Sequence, residues 1–237
     1  ETSNMALLHF ALDARYGVRP LLVEDIRRVA RGFDGVQIDF EGMARDDAAA
    51  FHEFLRDLRA ALPPATVLSI AVPARTSTVA DPYEYPRIQA LVDRVIVMAY
   101  DQHWSGGEAG PVASATWAAK VADYARTVVP AAKLVMGLPL YGRAWQDRQH
   151  ARALRFDRVQ ELLAETGSTP AWSDDRGASF TYTLPVTVSV FYEDARSLAG
   201  KLALYRERGV AAVSFWRIGQ GPPEAWNALA VAPSVSP

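Results

Sequence analysis

The sequence predicts an α/β fold: a parallel sheet of the (β/α)8, TIM-barrel type, short of its N-terminal strands, with a small α+β insertion before the last strand. Three observations predict it. Apolar runs rich in β-branched residues recur along the chain, as they do in strands buried on both faces. Segments of helical periodicity separate them, and a βαβα order favours a parallel sheet with right-handed crossovers. The first run ends in acids, and the C-terminal ends of strands are where a parallel α/β barrel keeps its chemistry.

The segment before Phe33 has apolar positions at Leu7, Leu8, Leu12, Leu21, Leu22, Ile26 and Val29, and reads as helical up to Arg31-Gly32; Met5 to Phe10 stays open as a strand. The first strand spans Phe33 to Glu41. Val36, Ile38 and Phe40 fall on one face, Gln37, Asp39 and Glu41 on the other. Carboxylates two residues apart on a strand face have Cβ atoms roughly 7 Å apart. Asp46 to Ala61 opens on acids, sets Phe51, Phe54, Leu55 and Leu58 at helical spacing, and stops at Pro63-Pro64. Val67 to Val72 is the second strand. Asp81 to Arg87 leads into a short helix ending near Val92. Val95 to Tyr100 is the third strand, followed by a helix over Thr116 to Val128 that Pro130 closes. Leu134 to Leu138 is the fourth strand.

Residues 146–192 break the rhythm. A helix over Asp157 to Thr166 precedes turn-rich sequence and the β-prone pieces Ser179 to Thr183 and Val186 to Val190, an α+β insertion. A helix over Ala195 to Arg208, ended by Gly209, leads to the fifth strand, Val210 to Trp216. The Pro/Ser-rich tail after Val231 is expected to fray. Five strands against eight leaves about three βα units wanting, all upstream of Phe33. The expected organisation is one barrel domain over 1–237, with 146–192 inserted in it.

Composition narrows the chemistry. Of 237 residues, half are hydrophobic and 22% charged, with a net charge of -2, so no basic stripe points to nucleic acid. The absence of cysteine excludes disulfides, thiolate metal sites and thiol catalysis, and leaves the redox compartment open. No apolar run approaches the ~18 residues of a membrane span. The opening Glu1-Thr2-Ser3-Asn4 has no signal-type core. No cofactor, metal or membrane partner is expected, and the oligomeric state is left open.

Four strand ends carry candidate site residues. The first gives Asp39 and Glu41. The third gives Tyr100 and Asp101, followed by Gln102-His103-Trp104-Ser105-Gly106-Gly107. The fourth gives Tyr141, Arg143 and Trp145, and the fifth Trp216 and Arg217. Acids among Tyr and Trp suit a carbohydrate: sugars offer C–H faces for stacking and hydroxyls for polar groups.

Asp34-Gly35-Val36-Gln37-Ile38-Asp39-Phe40-Glu41 resembles the DGxDxDxE signature of family 18 glycoside hydrolases. Met98-Ala99-Tyr100-Asp101 resembles that family's MxYD element, and Gly137 to Arg143 and Trp216 resemble its later strand ends. Order and spacing match from about Ile26 to Trp226, nearest to the bacterial spore-germination and cell-wall N-acetylglucosaminidase branch. The resemblance implies a retaining, substrate-assisted glycosidase of N-acetylglucosamine-containing polysaccharide, peptidoglycan or chitin-like. It implies an extracellular or cell-envelope location in a bacterium. It also implies roles. Glu41 is the proton donor, Asp39 steers the acetamido group and Tyr100 orients its oxygen. Trp216 is a floor under the sugar. Asp101, Tyr141, Arg143, Gln37 and Trp104 bind substrate or line the cleft.

One position departs from the signature. Gln37 stands where Asp is commonest, removing a negative charge beside Asp39. Three rival readings are a lectin-like member of the fold, a fragment with an unclosed sheet edge, and a metal site at Asp39, Glu41 and Asp101. Among other residues, Asp34 reads as structural, Trp145 as a loop aromatic near the cleft, His103 as able to reach it, and His9, His52 and His150 as surface residues.

Overall fold

A computed structural model describes residues 3–146, 151–183 and 187–230. The chain divides into two compact units, Glu1–Met98 with Asp123–Val135 and Ala99–Ala122 with Met136–Pro237.

The first unit opens with two helices. In α1 (Met5–Leu12) the Asn4 side chain accepts from the Leu7 N–H, and Leu8 and Leu12, one turn apart, are buried. That pattern resolves Met5 to Phe10 as helix rather than strand: an N-cap and i,i+4 burial outweigh a short apolar run. α2 (Arg19–Val29) carries Pro20 in its first turn, where a missing N–H costs nothing. Then follow β1 (Gly35–Ile38), α3 (Ala48–Ala61), β2 (Val67–Pro73), α4 (Tyr85–Ile88) and β3 (Arg94–Met98), with the end of α5 (Ala115–Val128) and the start of β4 (Leu134–Pro139). The hydrogen-bonded order is β1-β2-β3-β4, with β1 outermost.

The expected parallel pairing is present. Val36 faces Leu68 and Ile38 faces Ile70 across β1 and β2; Ile70 faces Val95 and Val72 faces Val97 across β2 and β3. A Cβ on Gly35 would stand 2.7 Å from the Val67 carbonyl oxygen, so glycine there permits close strand approach. Phe51, Phe54, Leu55 and Leu58 of α3 are fully buried. Lys133 donates to the Gln89 and Val92 carbonyls at 2.6 and 2.9 Å, tying the start of β4 to the segment ahead of β3.

The second unit contains the rest of β4, then β5 (Gly142–Trp145), β6 (Ala151–Leu154), α6 (Phe156–Thr166), β7 (Ala171–Ser173), β8 (Gly177–Thr183) and β9 (Thr187–Tyr192). These short strands form an antiparallel sheet in the order β6-β5-β9-β8-β7. Its own core gathers Leu154, Val159, Leu162, Phe180, Val188, Val190 and Tyr192. The sheet starts at Gly142, four residues before the position read from sequence. Of the expected β-prone pieces, Val186 lies outside the described residues, as do His150 and the tail after Val231. α7 (Ala195–Glu207) begins with a reciprocal cap between Asp194 and Ser197. β10 (Ala212–Trp216) runs beside β4, and α8 (Ala225–Ala230) follows.

Glu193, Ser197 and Lys201 are buried together. The ammonium of Lys201 donates to both Glu193 carboxylate oxygens at 2.8 and 2.7 Å, and the Ser197 hydroxyl donates to one of them at 2.7 Å. This cluster joins the end of β9 to the first two turns of α7.

Two expectations are corrected. Trp145 is in β5 and 2% exposed, not a loop aromatic. The apolar side of β5 packs into the sheet, and its indole N–H reaches the Gly107 carbonyl at 3.2 Å. His52 is buried on α3 with Nε2 3.1 Å from the Pro82 carbonyl; the adjacent phenylalanines drew that helix face inward.

Candidate active site

β1 proper ends at Ile38, and Phe40 makes one further bridge. The strand expected to reach Glu41 is thus shorter, but its alternation persists. The Phe40 ring stacks on Phe54 of α3 at 5.6 Å and 24°. Asp39 and Glu41 therefore turn to the opposite side. Gln37 and Glu41 are exposed and Asp39 half-buried. An open, mainly apolar groove of about 400 Å³ follows β1 and α2, lined by Leu22, Ile26, Val29, Phe33, Val36, Gln37 and Asp39 among others.

The ribbon carrying the acids is held from behind. The Tyr83 hydroxyl donates to the Phe40 carbonyl at 2.7 Å and accepts from the Met43 N–H at 3.3 Å. Glu41 and Gly42 are the two residues arched between these bonds. Gly42 has φ +67°, a left-handed conformation that glycine adopts without strain. Burial, together with the negative charge of Glu41, pushes the Tyr83 phenol up to about 12, against the lowering effect of the Met43 N–H. Sequence reasoning missed Tyr83. The available signal was Asp81-Pro82-Tyr83, a turn placing an aromatic beyond the end of an apolar strand.

In the second unit Tyr100 and Asp101 follow the third strand. Asp101 has φ +58°, uncommon for a residue with a Cβ, though Asp tolerates it better than most. The Tyr141 hydroxyl donates to Asp101 Oδ1. Arg143 reaches the same oxygen through Nε at 3.0 Å and Nη2 at 2.6 Å. The Tyr100 ring meets the Tyr141 ring edge-on, centroids 6.3 Å apart. Burial above all, then the Asp101 charge, drives the Tyr141 phenol far above its ordinary range. Tyr100, Asp101, Tyr141 and Arg143 thus form one cluster. Tyr141, at 6% exposure, braces Asp101 and is not an open contact surface.

The loop after Asp101 presents Trp104 at 59% exposure. A Cβ on Gly106 would lie 2.6 Å from the indole ring, so the indole lies flat against the loop. His103 turns back instead of outward: Nδ1 is 2.9 Å from the Pro111 carbonyl and the ring covers Gly110. Trp216 ends β10 at 40% exposure. Its carbonyl accepts from the Leu140 N–H at 2.8 Å, and its peptide bond to Arg217 is cis.

Both units therefore carry groups suited to sugar chemistry: carboxylates and a tyrosine for proton handling and hydrogen bonding, and open indole faces for stacking. The sequence over residues 21–221 matches the family described as Glycosyl hydrolases family 18. The chain belongs to glycosyl hydrolase family 18. Its fold is the TIM-barrel type of that family. Among relatives in the family, the chain is similar to a Bacillus subtilis protein provisionally named a sporulation-specific glycosylase, YdhD. The two are 35% identical over 216 residues, covering 83% of this chain and 50% of that protein. It is 30% identical over 217 residues to the cortical fragment-lytic enzyme of Bacillus cereus, covering 84% and 49%. The crystal structure of the Bacillus cereus spore cortex-lytic enzyme SleL superposes with a TM-score of 0.88 at 27% identity, over 97% of this chain and 56% of that one. The chain spans about half the length of the curated family 18 relatives it matches.

Proposed function

We propose that this chain is a retaining glycosidase that cleaves β-1,4-linked N-acetylglucosamine-containing polysaccharide by substrate-assisted catalysis, with peptidoglycan as the favoured polymer. The observation that carries the reading is the geometry of the Asp39-Phe40-Glu41 ribbon. Phe40 is anchored in the aromatic core on α3 and leaves Glu41 exposed and Asp39 half-buried, with the Asp39 Oδ1 out of solvent. Membership of family 18 and likeness to cortical fragment-lytic enzymes support it.

In this reading Glu41 gives its proton to the glycosidic oxygen as the C1–O bond breaks. The substrate's acetamido oxygen supplies the electron pair that closes on C1, forming an oxazolinium ion; no enzyme carboxylate attacks. Asp39 accepts a hydrogen bond from the acetamido N–H and stabilises the positive charge that develops there. The Tyr100 hydroxyl holds the acetamido oxygen in line. Glu41, now a carboxylate, takes a proton from water as that water opens the ring, and the configuration at C1 is retained. Trp216 offers an indole face to the reacting sugar and Trp104 one to a neighbouring sugar. Asp101, fixed by Tyr141 and Arg143, keeps Tyr100 in place. Gln37 is a neutral neighbour to Asp39. The polymer places the site of action outside the cell or in a bacterial envelope.

Hydrolysis of chromogenic chito-oligosaccharides and of purified peptidoglycan fragments by wild type and Glu41→Gln tests this. The expected result is turnover by wild type and a loss of at least about 100-fold in Glu41→Gln with sugar binding retained. Binding without turnover by wild type would leave a lectin-like protein in its place.

A further inference from the structure

We infer that Tyr83 is a positioning residue for Glu41 and Asp39: its hydroxyl clasps the backbone on both sides of Glu41 and fixes the direction in which the two carboxylates project. The inference rests on the reading of Glu41 as proton donor. Its basis is three sets of contacts, all within the first unit.

The first is the clasp. One phenolic oxygen donates to the carbonyl of Phe40, the residue between the two acids, at 2.7 Å, and accepts from the N–H of Met43 at 3.3 Å. The segment between those bonds is Glu41-Gly42, and Gly42 is in the left-handed region. A two-residue arch beyond a strand end, with a glycine at its crest, has little stiffness of its own. Tying both ends to one buried atom supplies it.

The second is the fixity of the clasp. Tyr83 is 6% exposed, and its ring meets Phe51 edge-on at 6.2 Å. Its own N–H donates to Asp81 Oδ1 at 2.8 Å, while Arg75 Nη2 holds Asp81 Oδ2 at 2.5 Å. His52 grips the intervening Pro82 carbonyl at 3.1 Å. The phenol is therefore held by the ring, by its own backbone and by the residue before it.

The third is a nearby comparison. Tyr85 is also buried, at 1% exposure, and also donates to a backbone carbonyl, that of Pro73 at 2.5 Å. That carbonyl ends β2 and does not flank the acids. Tyr85→Phe thus removes a similar buried hydroxyl without releasing the Glu41 arch.

Displacements near 1 Å at a reacting group cost up to about 100-fold in rate. Tyr83→Phe keeps the ring and its packing and removes the clasp. We expect kcat to fall about 10- to 100-fold with KM within about twofold, whereas Tyr85→Phe lowers the melting temperature and leaves kcat near wild type. Carboxyl-carbon NMR titration of the two variants supplies a readout independent of turnover. The Asp39 and Glu41 resonances should shift in Tyr83→Phe and stay in place in Tyr85→Phe. Asp81→Asn, which loosens the clasp from behind, should move both readouts in the same direction as Tyr83→Phe and by less. Unmoved carboxyl resonances in Tyr83→Phe, or equal kcat losses in the two phenylalanine variants, would overturn the inference. A fully active Glu41→Gln would instead overturn the proton-donor reading, whatever the tyrosine variants do.

Discussion

Arg143 meets a single oxygen of Asp101 with both Nε and Nη2, at 3.0 and 2.6 Å. The guanidinium side chain is 12% exposed and the carboxylate side chain 40%, so the cation is the partner that loses most if the contact breaks. Asp101→Ala leaves a nearly buried guanidinium and the Tyr141 hydroxyl without their acceptor. It should cost about 1–3 kcal/mol in urea unfolding. Asp101→Asn keeps an acceptor oxygen and a residue type that tolerates φ +58°, and should recover more than half of that loss. Equal losses in the two variants would show that charge, not geometry, matters at this position.

His52 gives the protein a pH-dependent stability. Burial of the ring lowers its pKa from 6.5 in the native state, in spite of the hydrogen bond to Pro82. The unfolded chain therefore binds a proton first as pH falls. Stability should be full above pH 6.5 and decline below it until the depressed native pKa is passed. His52→Gln should flatten that slope in melts recorded between pH 7.5 and pH 5. A slope of unchanged size in the variant would assign the effect to other groups.

The Lys201–Glu193 pair lies almost wholly out of water, with side chains 5% and 4% exposed. Lys201→Met strands a buried carboxylate and should cost about 3–5 kcal/mol. Replacing both, Glu193→Leu with Lys201→Met, should restore most of the stability. A double variant no better than Lys201→Met would mean that Ser197 depends on the glutamate for more than one hydrogen bond.

Gln37→Asp places a second negative charge two residues from Asp39 on the same strand face. Like charges disfavour ionisation, so the Asp39 pKa should rise and the acidic limb of the pH–rate profile should move to higher pH. An unmoved limb would show that the amide at Gln37 has no electrostatic bearing on the acids.

Most of the parallel strands were legible because they are apolar on both faces, a pattern that survives without knowledge of partners; β1, polar at Gln37, was legible by its period-two alternation instead. Asp39, Glu41, Tyr100 and Trp216 were legible as strand-end residues for the same reason: the strands gave the frame. What the pattern did not carry was reach across sequence. Tyr83 lies 43 residues from Phe40, and no local period links an aromatic after one strand to a carbonyl after another. His52 misled because an imidazole suggested exposure, and Trp145 because its place after an apolar strand suggested a loop. In each case a backbone carbonyl satisfies the polar atom and the ring is buried. The left-handed backbone at Asp101 has no signature either, since Asp is common in ordinary turns.

Leu140 and Tyr141 alone separate β4 from β5. A joint of two residues has no slack, so tilting the antiparallel sheet swings the Tyr141 phenol with it. Any displacement of that sheet reaches Asp101 through the bond from the Tyr141 hydroxyl. The hairpin between β7 and β8 is no freer: the Asp175 carbonyl accepts from the Ala115 N–H at 2.8 Å and its Oδ1 from the Thr116 N–H at 2.7 Å, so length added there would loosen the start of α5.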